Sequence, residues 1–232
     1  LHPRAFYVYR ALETPDGRAL VMSSLPRAAA TLVDQDTFDI ERGEPEALAG
    51  VSNWHAGQFL APDVFFAVSG NRAFLMKYPG FELISEIPAP EGVSSFSRQS
   101  FLLGGRVGIW GVGTNMLYLL NVAGRRWEPM LDQPVVPVQP DEDLYCSAYA
   151  GMDDGSVCGM TSDCVFFRVE PGSRHAATRR LDVRGPVMAW GPWIVNDRGR
   201  RKAYGSTHVV QRFWEVDLDS GVGRDLGDSG PG

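Results

Sequence analysis

Residues 116–127 read Met-Leu-Tyr-Leu-Leu-Asn-Val-Ala-Gly-Arg-Arg-Trp, and this stretch decides the fold class. The apolar run Met116–Val122 has the composition of a β-strand buried on both faces. Gly124 then supplies a turn, and a shorter, more polar strand follows over Arg125–Leu131. The stretch therefore predicts a hairpin made of one buried strand and one edge strand.

The same hairpin recurs along the chain. Its turns lie 44, 44, 48 and 49 residues apart, at Asp36, Gly80, Gly124, Gly172 and Gly221. The strands before these turns are predicted over Ala29–Val33, Ala73–Tyr78, Met116–Val122, Cys164–Val169 and Val209–Val216. A fixed period of this length indicates a repeat protein. Helical periodicity is nearly absent, and Glu44–Leu48 is the only stretch compatible with a short helical turn.

Each repeat also has an inner half. First strands are predicted at Ala5–Ala11, Trp54–Leu60, Phe96–Leu103, Leu144–Ala150 and Pro186–Trp190. Turn residues follow them, and second strands are predicted at Arg18–Met22, Val64–Val68, Arg106–Val112, Ser156–Met160 and Trp193–Val195. Asp-Gly and Gly-Gly pairs supply the positive φ angles that tight hairpins need. The sequence therefore predicts five repeats of four strands each.

On these hairpins the sequence resembles β-propellers over nearly its whole length. The resemblance implies an all-β fold of about five four-stranded blades. The blades are expected near residues 4–46, 52–90, 95–134, 143–184 and 186–227 of a single domain covering residues 1–232. Part of a six- or seven-bladed propeller is the alternative. The hairpins identify the architecture only, since no WD40, kelch or five-bladed glycosidase signature is present.

Composition and charge narrow the classes of partner. The net charge of −6 disfavours a nucleic-acid or anionic-membrane footprint, because phosphate binding needs a concentrated basic surface. No apolar run is long enough to span a membrane. Three cysteines suit a soluble protein of a reducing compartment such as the cytoplasm. Because the chain begins at Leu1, a removed signal peptide stays open.

Propeller ligands usually approach the loops that lead into first strands and the loops that join second to third strands. This mapping predicts binding residues Trp54, Asn71, Arg72, Arg98, Asn115 and Asp163, and catalytic candidates His55, Tyr145 and His208. Trp54 and His55 stand side by side, where an indole can stack a ring and an imidazole can act as a base. The alternative is that one of them packs between blades while the other faces solvent.

Metal and cofactor motifs are missing from the sequence. The triplet Asp141–Asp143 offers oxygen ligands for Ca²⁺, but no calcium-loop spacing accompanies it, so a solvated acidic loop is preferred. No zinc-type or nucleophile-elbow spacing occurs. We therefore expect neither a metal site nor a cofactor.

Two functions are consistent with these residues. The first is a binding propeller that uses one loop face for a small molecule, a glycan or a protein. The second is a metal-independent enzyme, namely a lyase, hydrolase or cyclase, with its active site in the central funnel. The sequence alone leaves both open.

Overall fold

A computed structural model describes residues 5–138, 146–181, 189–197, 200–207 and 212–228. Within them the chain forms short antiparallel strands, and the helical structure is a single 3-10 turn at Glu46–Leu48.

The first sheet consists of β1 (Ala5–Glu13), β2 (Ala19–Pro26), β3 (Ala29–Val33) and β4 (Ile40–Gly43). The second consists of β5 (His55–Ala61), β6 (Val64–Ser69), β7 (Arg72–Lys77) and β8 (Glu82–Pro88). In both, each strand pairs with the next along the chain. Consecutive antiparallel pairing is what tight two-stranded turns produce.

The third sheet runs β10 (Phe101–Leu103), β11 (Arg106–Val112), β12 (Met116–Asn121) and β13 (Arg126–Pro129), and it also includes the two-residue β9 (Ser95–Phe96). The fourth runs β14 (Cys146–Gly151), β15 (Val157–Thr161), β16 (Val165–Val169) and β17 (Ala177–Arg180). The fifth runs β18 (Ala189–Asp197), β19 (Arg200–Thr207), β20 (Arg212–Asp217) and β21 (Gly223–Asp228). The prediction of five four-stranded units is confirmed.

Two strand assignments made from the sequence are wrong. The predicted first strand Phe96–Leu103 is split into β9 and β10. In the fifth sheet, the predicted second strand Trp193–Val195 is not separate from the first, because β18 continues through Gly191-Pro192 to Asp197. A register shift between Trp190 and Trp193 accommodates this segment, since proline cannot donate a ladder hydrogen bond and is tolerated at bulges. The second strand of the fifth sheet is therefore β19.

The chain divides into two compact units. The first comprises Leu1–Arg98 with Leu120–Trp127, and the second comprises Gln99–Leu119 with Glu128–Gly232. The third sheet contributes residues to both. In the first unit, a buried core is built on Trp54, Phe65 and Phe74.

The second unit holds two buried clusters. One contains Trp110 and Phe167, and the other contains Trp214 and Cys158. Cys158 and Cys164 are buried, and burial raises the pKa of the Cys158 thiol to about 12. These packed faces explain why strands such as β6 and β15 are apolar at successive positions.

Candidate functional site

The first strands of four of the five sheets carry a β-bulge in their first half, whereas β10 pairs with β11 without a register shift. The register shifts lie at Val8/Arg10 in β1, at His55/Gln58 in β5, at Cys146/Ala148 in β14 and at Trp190/Trp193 in β18. A bulge leaves one residue out of the ladder and re-aims its side chain, and bulges are frequent next to active sites. The beginnings of these strands are therefore where side chains leave the regular alternation.

In four sheets, the loop between the second and third strands is hydrogen-bonded to the segment that follows the fourth strand. The amide of Ala28, in the loop between β2 and β3, donates to Val51 O at 2.9 Å. In the next three sheets, the segment that follows the fourth strand donates instead, and the loop between the second and third strands accepts. These hydrogen bonds run from Ala89 N to Asn71 O, from Val135 N to Asn115 O, and from Leu181 N to Cys164 O, each at 2.9 Å. The loop after the second strand thus holds the segment that follows the fourth strand.

His55 lies at the first bulge of β5, in the first unit, and it contacts residues from two other segments. The ring of Tyr9 meets the imidazole edge-on, with the centroids 4.2 Å apart and the planes at 87°. The Arg98 guanidinium carbon lies 6.0 Å from the centroid of the Tyr9 ring. The amide of Ala56 donates to Arg98 O at 3.1 Å, which ties the two segments together. We call Tyr9, His55 and Arg98 the His55 cluster.

The imidazole of His55 is buried but not satisfied. Only 8% of the residue is exposed, and its Nδ1 has no hydrogen-bond partner among the described residues. Burial, and secondly the positive charge of Arg98, lower the pKa of His55 to about 4. The ring is therefore neutral at pH 7 and presents one unused polar atom.

The other two members of the cluster reach solvent. Tyr9 is half-buried and Arg98 is exposed. Tyr7 precedes Tyr9 on β1, is 59% exposed, and has its ring centroid 6.4 Å from that of Tyr9. The cluster therefore combines a buried imidazole with a tyrosine ring and a guanidinium that an incoming molecule can contact.

Trp54 precedes His55 in sequence but lies in the core of the first unit. It is fully buried, and its indole Nε1 donates to Ser23 O at 2.9 Å. Its ring meets those of Phe65 and Phe81 at centroid distances of 5.9 and 6.1 Å. The structure thus places the two neighbours differently, with Trp54 packed inside and His55 at the cluster.

Asn71 lies in the exposed turn between β6 and β7, and the exposed Arg72 is the first residue of β7. Arg72 donates two hydrogen bonds of 2.7 Å to the carboxylate of Glu86 on β8. Its guanidinium carbon also lies 5.0 Å from the centre of the Phe74 ring. Both side-chain contacts of Arg72 are therefore made within its own sheet.

Asn115 and Asp163 lie in the second unit, at the corresponding turns of the third and fourth sheets. Asn115 is buried with a φ of +52°, and its Nδ2 donates to the carbonyls of Val136 and Pro137 at 3.4 and 3.3 Å. Asp163 accepts hydrogen bonds from Thr161 Oγ1 and, at 2.9 Å, from Arg180. Asn115 thus joins its turn to the segment that follows β13, and Asp163 joins its turn to β17.

Several predicted residues lie outside the described residues. These are Tyr145, His208 and the acidic triplet Asp141–Asp143. Within the described ranges, no group of three histidine, cysteine or carboxylate side chains is placed to hold a metal ion. No helix among those ranges is long and apolar enough to cross a membrane.

Tyr9 is the member of the cluster that sequence reasoning missed. The segment Tyr7-Val8-Tyr9 reads as an ordinary alternating strand, in which both tyrosines point to one face. The bulge between Val8 and Arg10 depends on how β1 pairs with β2, so the residue types of β1 do not predict it. An aromatic pair at the start of a first strand was the available signal.

Comparison with known proteins shows the fold. No protein-family profile and no curated protein matches the sequence. Similar solved structures include the virginiamycin B lyase of Staphylococcus aureus in its catalytically inactive histidine-to-alanine variant with quinupristin. That structure has a TM-score of 0.70 and 11% identity, covering 100% of this chain and 73% of that chain.

Two further structures are similar. One, described as a streptogramin B lyase, gives a TM-score of 0.69 with 13% identity over 100% of this chain and 72% of that chain. The other, the extracellular domain of a hybrid two-component system of B. thetaiotaomicron, gives 0.68 with 13% identity. The alignment covers 98% of this chain but only 28% of that one. With its five sheets, the chain has a propeller-like fold of about five blades.

Proposed function

We propose that the chain is a ligand-binding β-propeller that holds a small molecule at the His55 cluster. The observation that carries the proposal is the buried Nδ1 of His55, which lacks a hydrogen-bond partner among the described residues. Leaving a buried polar atom unpaired costs about 1–3 kcal/mol, so this atom calls for a partner, either an ordered water or a bound molecule. A bound molecule supplies that partner.

The aromatic side chains of β1 support the same proposal. Tyr7 and Tyr9 offer ring surface next to His55, and tyrosine rings bind planar or apolar molecules while their hydroxyls stay solvated. A small molecule fits better than a protein partner, because the polar atom without a described partner, Nδ1 of His55, is buried. A glycan or a protein segment at the same loops is an outcome that the experiment below distinguishes.

The test uses the histidine ring signals in NMR spectra of protein labelled at its four histidines. A panel of sugars, small aromatic compounds and short peptides is titrated in, and the ring signals are assigned with single histidine-to-glutamine variants. We expect a ligand that moves the His55 signal and raises the melting temperature. The gain in melting temperature is lost in His55→Gln and kept in the exposed control His175→Gln. Stabilisation that survives in His55→Gln contradicts the proposal, and so does a panel that leaves the His55 signal unmoved.

A lyase is the second candidate, and the neutral state of His55 favours it. A lyase of the eliminating kind needs a base to take a proton from carbon, and an imidazole with a pKa of about 4 is in its base form at pH 7. Two similar structures are streptogramin-type lyases, one of them studied as an inactive histidine variant with quinupristin. However, a general base works best when its pKa lies near the working pH, so we place binding first.

Incubation with quinupristin separates the two candidates. A lyase converts it to a product with a new chromatographic retention time, and His55→Gln abolishes the conversion while His175→Gln keeps it. Binding of quinupristin without conversion excludes this lyase activity and leaves the binding proposal standing.

A further inference from the structure

Arg98 makes no ion pair with a carboxylate of the described residues. Many described arginines lie within 4.0 Å of a carboxylate, namely Arg18, Arg27, Arg72, Arg106, Arg168, Arg174, Arg180, Arg201, Arg212 and Arg224. No carboxylate of the described ranges lies that close to Arg98. In a chain of net charge −6, an unpaired guanidinium beside a buried imidazole requires an explanation.

The side chain of Arg98 acts on the cluster and not on the fold. Its guanidinium lies over the Tyr9 ring, whereas its backbone carbonyl accepts the hydrogen bond from Ala56. A substitution of the side chain therefore keeps the contact that joins the segment to β5. The guanidinium is free to meet a ligand, and its planar fork of donors matches the two oxygens of a carboxylate.

We infer that the ligand of the His55 cluster is an aromatic monocarboxylate. Arg98 pairs with its carboxylate, the rings of Tyr7 and Tyr9 pack against its aromatic ring, and Nδ1 of His55 makes one hydrogen bond with it. This inference rests on the proposed function and names the class of ligand. Each of the three contacts uses a group that has no competing hydrogen bond or ion pair among the described residues.

The charge of the cluster favours a ligand with one negative charge over a ligand with several. Arg98 is the cation that the described contacts bring to the cluster, and the neutral His55 adds none at pH 7. A phosphate ester carries up to two charges at this pH and needs further cations, which a net charge of −6 opposes. A cationic ligand is excluded by repulsion from Arg98 itself.

The experiment compares three ligands that carry one ring and differ in charge: benzoate, benzamide and benzylamine. Each is titrated into the histidine-labelled protein at low ionic strength, and the shift of the His55 ring signal gives the dissociation constant. We expect benzoate to bind at least about tenfold more tightly than benzamide, which is the loss expected for one charge-assisted hydrogen bond. Benzylamine is expected to leave the His55 signal unmoved. Inorganic phosphate, added as a fourth probe, is expected to bind more weakly than benzoate.

Variants locate the charge that recognises benzoate. Arg98→Gln is expected to reduce benzoate affinity about tenfold or more and to leave benzamide affinity unchanged. Arg179→Gln, which removes the same charge from the exposed outer strand β17, is the matched control and is expected to change neither. Melting temperatures of both variants show whether each remains folded.

The outcomes distinguish this inference from the proposed function. Benzamide or an uncharged ligand of the wider panel binding at least as tightly as benzoate overturns the carboxylate inference while the binding site at His55 stands. Benzoate affinity that persists in Arg98→Gln overturns the assignment of the carboxylate to Arg98. If no member of either panel moves the His55 signal, both proposals fail.

Discussion

The hydroxyl of Tyr78 donates a 2.8 Å hydrogen bond to the carboxylate of Asp16, joining the end of β7 to the first hairpin. Arg18 completes the group by donating to Asp16 at 2.8 Å and to the Tyr78 hydroxyl at 2.9 Å. Burial alone would raise the pKa of Asp16, but the hydrogen bonds from Arg18, Thr14 and Tyr78 outweigh it and hold that pKa well below its usual range. The second sheet is thereby fastened to the first.

The fourth sheet repeats this device in the second unit. Asp154 occupies the corresponding hairpin between β14 and β15, and Arg201 on β19 of the fifth sheet donates to its carboxylate. Hydrogen bonds from Ser156 and then from Arg201 hold the pKa of Asp154 well below its usual range. An aspartate before the turn glycine thus serves two sheets as the point of attachment for the next sheet.

Tyr78→Phe tests the first of these links. The substitution keeps the ring contacts with Phe59 and Phe81 and removes only the hydroxyl. We expect a loss of about 1–2 kcal/mol in the free energy of unfolding, because Asp16 loses a buried partner. Urea unfolding measures it. Tyr7→Phe, at an exposed tyrosine, is the control, and equal losses in both variants would contradict the link.

His55 predicts a loss of stability in acid. Its pKa is lowered from 6.5 to about 4 in the folded chain, so the unfolded chain takes up a proton first as the pH falls. The contribution of His55 to the free energy of unfolding is complete above pH 6.5, and it is lost as the pH falls from 6.5 to about 4. The shift corresponds to about 3 kcal/mol.

Urea unfolding of wild type and His55→Gln at a series of pH values measures this effect. The difference between the two proteins isolates His55 from the carboxylates, which titrate in both. We expect the wild type to lose more stability than the variant from pH 6.5 to 4. Parallel curves for the two proteins would show that the ring is not held neutral.

Gly57→Ala tests the bulge that positions His55. A Cβ atom at this position would lie 2.3 Å from Sδ of Met22 and 2.8 Å from Cζ of Phe65, both in the core of the first unit. We expect about 1–3 kcal/mol of destabilisation, as for other overpacked cores. A shift of the His55 ring signal in NMR spectra accompanies it.

Gly43→Ala is the matched control for this substitution. No heavy atom lies within 4 Å of a Cβ placed there, on the exposed strand β4. Its free energy of unfolding is expected to stay within about 0.5 kcal/mol of wild type. A Gly57→Ala protein as stable as Gly43→Ala would show that the contact with Met22 is not tight.

Phe38→Gly is expected to stabilise the chain. Phe38 is 75% exposed and has a φ of +60° in the turn before β4. That conformation costs about 1–2 kcal/mol for a residue with a side chain, against about 0.5–1 kcal/mol of extra chain entropy for glycine. The net gain is about 0.5 kcal/mol in the free energy of unfolding, measured by urea denaturation. Phe38→Ala keeps the backbone cost and should give no gain, so an equal gain in both variants would assign the effect to the exposed ring.

Strand order was predictable wherever the signals were local. β6, β7 and β12 match their predicted ranges closely, because each is an apolar run bounded by residues that favour turns. β18 was mispredicted because Gly191-Pro192 is a turn signal in isolation, and only the register with β19 reveals a bulge there. The functional roles assigned to His55, Asn71 and Asp163 stay predictions.

The sequence by itself determined the repeat of strands and turns, because alternation, apolar runs and turn residues act over a few neighbouring positions. Only the tertiary structure decided that Tyr9 and Arg98 meet at His55 while Trp54 turns into the core. These contacts join segments that are distant in sequence. They depend on strand register and on bulges, where a shift of one residue sends a side chain to the opposite face.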